Sequence, residues 1–398
     1  MNTRRPLSAS LFFMALCGAL LSLALPAHAD SEATAKQVLT RSLSVPAGGS
    51  VSVENLVGHM DVMQGGSQLE VTATVVAGGE DQAAADALAK TIKLSVTNSG
   101  NRVNVHVDYP VDQYDSYRYD RTAGRRDSGD GCLFGFICGS SSTSLSYQGE
   151  HVRIYQRRGN GVPLYVDVSV KVPAGMNADL TNHVGLIQVA NVKANLGLHS
   201  DSSDMQLDHT AGDLSIDTGS GDIGLAQQDG AVVVRTGSGD VKISQVSGNI
   251  NIHTGSGDVH GGKLHGDTLE TVTGSGDVVL DDIAGSLNMR AGSGDIHLSG
   301  IKAHGGTTVS TGSGDITLSG DLSGMDGFNL RAGSGDIVLA TSQPPAVHLD
   351  INTGSGDINV HWAGLSNVAT SDNSFSGDVA NGKALGKIHT GSGDVTLK

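Results

Sequence analysis

The sequence predicts an all-β chain, a parallel β-solenoid with coils of 18–21 residues behind a β-rich cap. Three observations carry this. Gly-Ser-Gly-Asp recurs nine times, ending at Asp222, Asp240, Asp258, Asp277, Asp295, Asp315, Asp336, Asp357 and Asp394, and Phe375-Ser376-Gly377-Asp378 fills the one gap. The spacings are 18, 18, 19, 18, 20, 21, 21, 21 and 16 residues, and a fixed period of this size marks a stacked repeat. Around each Asp, apolar residues alternate with polar ones, the period of a strand with one buried face.

Each coil follows from its residues. After the Asp come inward pairs such as Val241 and Ile243 or Ile316 and Leu318, then a third apolar residue such as Val246 or Ile283. Eight and six residues before it come Ile250 and Ile252, Leu287 and Met289, Leu349 and Ile351. No crossover helix fits between such strands, which excludes a doubly wound α/β fold. The glycines suit a sharp corner that needs positive φ. A small residue, Thr or Ala, always precedes the motif and points inward with its strand. Ser202-Ser203-Asp204 and Gly185-Leu186-Ile187 continue the period backwards, with Leu186 in the Asp slot. The last two coils blur the apolar pattern, as a solenoid cap does.

The chain of 398 residues divides into a signal peptide (1–29), an N-terminal cap (30–181) and the solenoid (182–398). Arg4 and Arg5, the apolar run to Leu25 and Ala27-His28-Ala29 read as an export signal cleaved before Asp30. The expected product is periplasmic, surface-bound or secreted, with no membrane segment after cleavage. In the cap, 38–80 alternates, Gly58-His59-Met60-Asp61-Val62 is a worn coil motif, Glu80–Lys93 fits one short helix, and Asn98-Ser99-Gly100-Asn101 marks a hairpin. Cys132 and Cys138, the two cysteines left after cleavage, are expected to form a disulfide in an oxidising compartment. They staple an insertion, 111–161, rich in Tyr and Arg. Tyr114, Tyr117, Tyr119, Phe134 and Phe136 there form the candidate contact surface.

The formal charge is −16 at pH 7, which argues against nucleic acid as partner. An unidentified protein or glycan of the cell envelope is the expected partner. No nucleophile, metalloprotease or P-loop motif occurs, and no catalytic residue is assigned. A β-helix polysaccharide-active enzyme is the alternative, but from residue 182 onward 24 acids face 10 bases spread singly along the chain. A periplasmic structural or signalling partner is a second alternative. In-register coils place the ten motif Asp residues in a row, with carboxylates about 4.8 Å apart repelling by ~0.9 kcal/mol in water. Hydrogen bonds from the flanking Ser and Gly groups are the favoured compensation. Bound calcium and protonation are the alternatives, and no other cofactor is implied.

Ser52-Val53-Glu54-Asn55-Leu56-Val57-Gly58, Val168-Ser169-Val170-Lys171-Val172-Pro173 and the Thr-Gly-Ser-Gly-Asp-Ile/Val repeats together resemble a family of exported bacterial proteins of unknown function, described as "putative adhesins". The resemblance implies a β-strand repeat fold and a non-enzymatic adhesive or scaffolding role. It supplies no catalytic residues.

Overall fold

The computed structural model describes residues 33–46, 48–119, 142–156 and 160–398. The signal segment, Cys132, Cys138, Phe134 and Phe136 lie outside the described residues.

Over the described residues the chain is a β-solenoid with one short helix. Its entry is β1 (Ala33–Leu43), β2 (Ser50–Gln64), β3 (Leu69–Gly79), α1 (Gln82–Ala89), β4 (Lys93–Ser99) and β5 (Arg102–Asp108). Asp81 caps α1 by accepting the Ala84 N–H at 2.7 Å, and the helix buries Ala85 and Ala89. β4 and β5 form the expected hairpin. A small sheet follows, β6 (Ser116–Tyr119), β7 (Ser142–Tyr147) and β8 (Glu150–Gln156), and then β9 (Leu164–Val172) returns to the main sheet.

β2 already runs as a coil. Its first half pairs in parallel with β5 and its second half with β9. Along almost its whole length it pairs with β10 (Asn177–Lys193), so that Gly58 faces Gly185. β1, β3 and β9 close one side as antiparallel neighbours.

From β10 the coils stack in register. Val232 faces Ile250, which faces Leu269, and Val241 faces Val259. The inward residues read from the alternation are buried: Ile243, Val246, Ile250, Ile252, Met289 and Ile351 are all at most 3% exposed. Thr254, Thr273, Thr311 and Thr390 are buried too, and each accepts the N–H of the second motif glycine at 3.0–3.2 Å. The buried row of hydroxyls therefore satisfies the tight corner.

The motif glycines have a different reason from the expected one. In most coils the second glycine has no positive φ. A Cβ on Gly257 would stand 1.8 Å from the carbonyl oxygen of Gly239 in the preceding coil. Stacking leaves no room for a side chain there. Positive φ falls instead on non-glycine residues five positions after the Asp, such as Gln227, Gln245 and Lys263 (φ 55–59°), where the coil turns again.

The coils do not follow chain order at the end. Phe328–Ala332 pairs with Gly386–Thr390, which pairs with Val347–Thr353. Likewise Ile337–Leu339 pairs with Val395–Leu397, which pairs with Ile358–Val360. The last coil is set between the two coils that precede it in sequence. The hairpin of Leu365–Ser371 and Ser374–Val379 lies antiparallel beyond Val347–Thr353. The blurred terminal pattern thus belongs to this hairpin, whereas the final coil is interior.

Candidate binding surfaces

Three features were candidates for function: the Asp row, the Tyr-rich insertion and any concavity on the sheet faces.

The Asp row is hydrogen-bonded between coils. Each carboxylate Oδ1 accepts the backbone N–H of the Asp in the next coil, from Asp204 through Asp222, Asp240, Asp258, Asp277, Asp295, Asp315, Asp336 and Asp394 to Asp357, at 2.7–3.2 Å. The donor is therefore the next Asp and not a flanking Ser or Gly, because the corner faces along the stack. Asp378 does not join. It lies on the antiparallel hairpin, where its carboxylate takes His348 Nδ1 at 2.5 Å and Asn367 Nδ2 at 2.6 Å. A hydrogen bond to a charged acceptor contributes roughly 1.5–3 kcal/mol, more than the ~0.9 kcal/mol repulsion between solvated neighbours. Local bonding alone can hold the row. Among the described residues no group of three or more His, Cys, Asp and Glu side chains is placed to hold a metal ion.

Asp240→Ala should destabilise the rod by about 1–3 kcal/mol, because the Asp258 N–H loses its acceptor. Asp240→Asn keeps the Oδ1 acceptor and should melt close to the parent. Thermal melts of both decide it, and equal losses would remove the ladder from the account.

The tyrosines of the insertion are mostly core. Tyr117 and Tyr119 are 0% and 3% exposed, and Tyr114 is half-buried against the same cluster. Tyr109 meets Tyr117 and Tyr147 edge-on at 5.4 and 6.0 Å, and Tyr119 meets Tyr165 at 5.2 Å. The Tyr109 hydroxyl donates to Val57 O at 3.0 Å and that of Tyr147 to Val107 O at 2.6 Å. Burial pushes all three phenols, Tyr109, Tyr117 and Tyr147, well above the usual tyrosine range. Tyr117 and Tyr119 are thus not contact residues. Clustered Tyr marks a binding surface or an amphipathic core equally well, since each ring buries a large area and needs one acceptor. Here the rings attach the small sheet to the first coils.

At that junction His183 stands edge-on to Tyr147 at 5.4 Å. Its Nδ1 lies 2.6 Å from Asp201 and its Nε2 3.1 Å from Glu54. Burial alone would depress the imidazole, but the two carboxylates outweigh it and hold it up to about 9. The bond to His183 in turn lowers Glu54. A raised histidine stabilises the fold fully below its unfolded pKa near 6.5, and that contribution is lost as pH rises through about 9. Stability should therefore fall between these values by on the order of 2–3 kcal/mol. His183→Gln should flatten this part of the profile. A parent profile with no slope in this window would contradict the assignment.

The concavity is an open groove of about 770 Å³ across six successive coils, from Asp61 and Met63 to His260 and Gly262. Its path follows positions two and four after the Asp slot, which alternation turns outward. Gly224, Ala226 and Gly262 are small there, while Gln188, Gln206 and Lys242 rise beside them. No sequence motif announced it, because small outward residues in separate coils become a groove only when stacked.

No curated protein matches this chain. Two solved structures align along most of it. One is titled a "putative cell adhesion protein" from Clostridium sporogenes, 9% identical with a TM-score of 0.18, covering 92% of this chain and 99% of that one. The other is titled a "putative adhesin" from Bacteroides fragilis, 11% identical with a TM-score of 0.25, covering 91% and 97%. At those TM-scores neither alignment bears on the argument. The family model described as Toastrack DUF4097 matches residues 227–398, so the later coils of the rod, together with the hairpin among them, are similar to that family.

Proposed function

We propose that the protein is a non-enzymatic, exported rod that binds a component of the cell envelope in an adhesin-like role. The groove across six coils carries this reading. It is long, open and mostly apolar, with Gln188, Gln206, Lys242 and His260 beside small residues at Gly224, Ala226 and Gly262, which suits an extended chain better than a small reactant held at one point. The signal sequence supports export, and a Cys132–Cys138 disulfide would suit the same compartment.

Two measurements test the proposal together. Cell fractionation should find the mature chain outside the cytoplasm, and purified protein should bind intact cells. Gly224→Trp with Ala226→Trp would fill the groove on an exposed face and should abolish that binding with little change in melting. A cytoplasmic protein, or undiminished binding by the filled variant, would overturn it. Retention in the periplasm without cell-surface binding would favour the structural or signalling partner instead.

A further inference from the structure

The bases that the sequence scatters singly are gathered by the coil register into one column. Arg235 faces His253, which faces Val272, then Arg290, Ser310, Arg331 and His389. Each stands five residues before the Asp slot, outward, on the face that does not carry the groove. Arg235, Arg290 and Arg331 are all the arginines of the chain after residue 160. The neighbouring outward column runs Val233, Asn251, Glu270, Asn288, Thr308, Asn329 and Lys387 over the same layers.

On this face three arginines and Lys387 stand with Glu270, Asp217 (the register partner of Arg235) and Asp350 (that of Lys387), a net of +1 (4 − 3) with histidines neutral, on a chain of −16. Glu270 is held by Asn251, Asn288 and, at 3.7 Å, Arg290. Arg331 donates from Nε to Asn329 Oδ1 at 3.1 Å. The acids sit at the two ends of the face and at Glu270, while the side chains of Arg235, Arg290 and Arg331 are exposed. With layers about 4.8 Å apart, the column from Arg235 to His389 spans about 29 Å, and Arg290 and Arg331 lie about 10 Å apart.

We propose that this face binds a linear acidic polysaccharide lying along the rod axis, its carboxylates on the Arg/His column and its hydroxyls on the Asn/Thr column. Guanidinium groups take carboxylates in a bidentate fork, and side-chain amides both donate to and accept from hydroxyls. A uronate chain repeats its carboxylate on a spacing comparable with the coils, so one strand can meet several arginines. This goes beyond the groove, which lies on the other face and has a different lining.

The test is calorimetric titration of the full-length mature protein with polygalacturonate at low salt, with dextran as the neutral control. Polygalacturonate should bind and dextran should not. Arg235→Gln, Arg290→Gln and Arg331→Gln together should weaken binding roughly tenfold or more and flatten its salt dependence. Melting should be unchanged, since all three side chains are exposed. Lys263→Gln, an exposed cation outside both the column and the groove, should bind as the parent does. No binding, equal binding of dextran, or an unaffected triple variant would overturn the proposal. So would tighter binding of duplex DNA than of polygalacturonate at equal charge concentration, which would assign the face to a nucleic acid.

Discussion

A chain ending at residue 383 is expected to lose the whole end of the rod, not just its final coil. The segment 384–397 separates Phe328–Leu339 from Val347–Val360 and hydrogen-bonds to both. Without it two coil edges face each other across a gap of two layers, about 9.6 Å, too far for strand pairing. Ile388, Val395 and Leu397 are each at most 1% exposed, and losing three such side chains costs roughly 5–9 kcal/mol of burial. Hydrogen exchange should show Val347–Thr353 and Ser374–Val379 unprotected in the truncated chain while the coils before residue 320 stay protected. The open edge at Phe328–Ala332 should also promote self-association. If Val347–Thr353 kept its protection, the coils would be stacking in chain order.

The second large effect separates two adjacent residues. Ile252 is 1% exposed and its inward neighbours are Ile250 and Thr254, whereas His253 is exposed. Ile252→Asp should destabilise by more than about 4 kcal/mol, because an unpaired charge enters a dry stack. His253→Asp should stay within about 0.5 kcal/mol of the parent. Chemical denaturation of the two compares them directly, and similar losses would mean that the strand register is off by one.

Much of this was legible because solenoid layers repeat their chemistry. Alternation around each Asp identified the inward faces, and the Thr or Ala before each motif was rightly read as pointing inward. The order of the last coils was not legible. Thr390-Gly391-Ser392-Gly393-Asp394 and Thr353-Gly354-Ser355-Gly356-Asp357 present the same corner, so either can stack on Asp336. The signs of the insertion were the short spacing of 16 before Asp394 and Phe375 in place of the motif's first glycine. The role of Gly257 was hidden for a related reason, since its constraint comes from the neighbouring coil rather than from its own turn. The tyrosines misled because one residue type serves both cores and contact surfaces. The basic column was present in the sequence at a fixed offset from each Asp, but it becomes a surface only through the register.

The insertion of the last coil is tested most directly by engineered disulfides, in a background of Cys132→Ser and Cys138→Ser. Arg331 and His389 are register partners, as are His389 and Asn352. Adjacent coils bring Cα atoms to about 4.8 Å, within the 4.4–6.8 Å that a disulfide spans, whereas two layers place them at about 9.6 Å. Arg331→Cys with His389→Cys should cross-link on mild oxidation, and Arg331→Cys with Asn352→Cys should not. Efficient cross-linking of the second pair and none of the first would show that the coils follow chain order and would contradict the account.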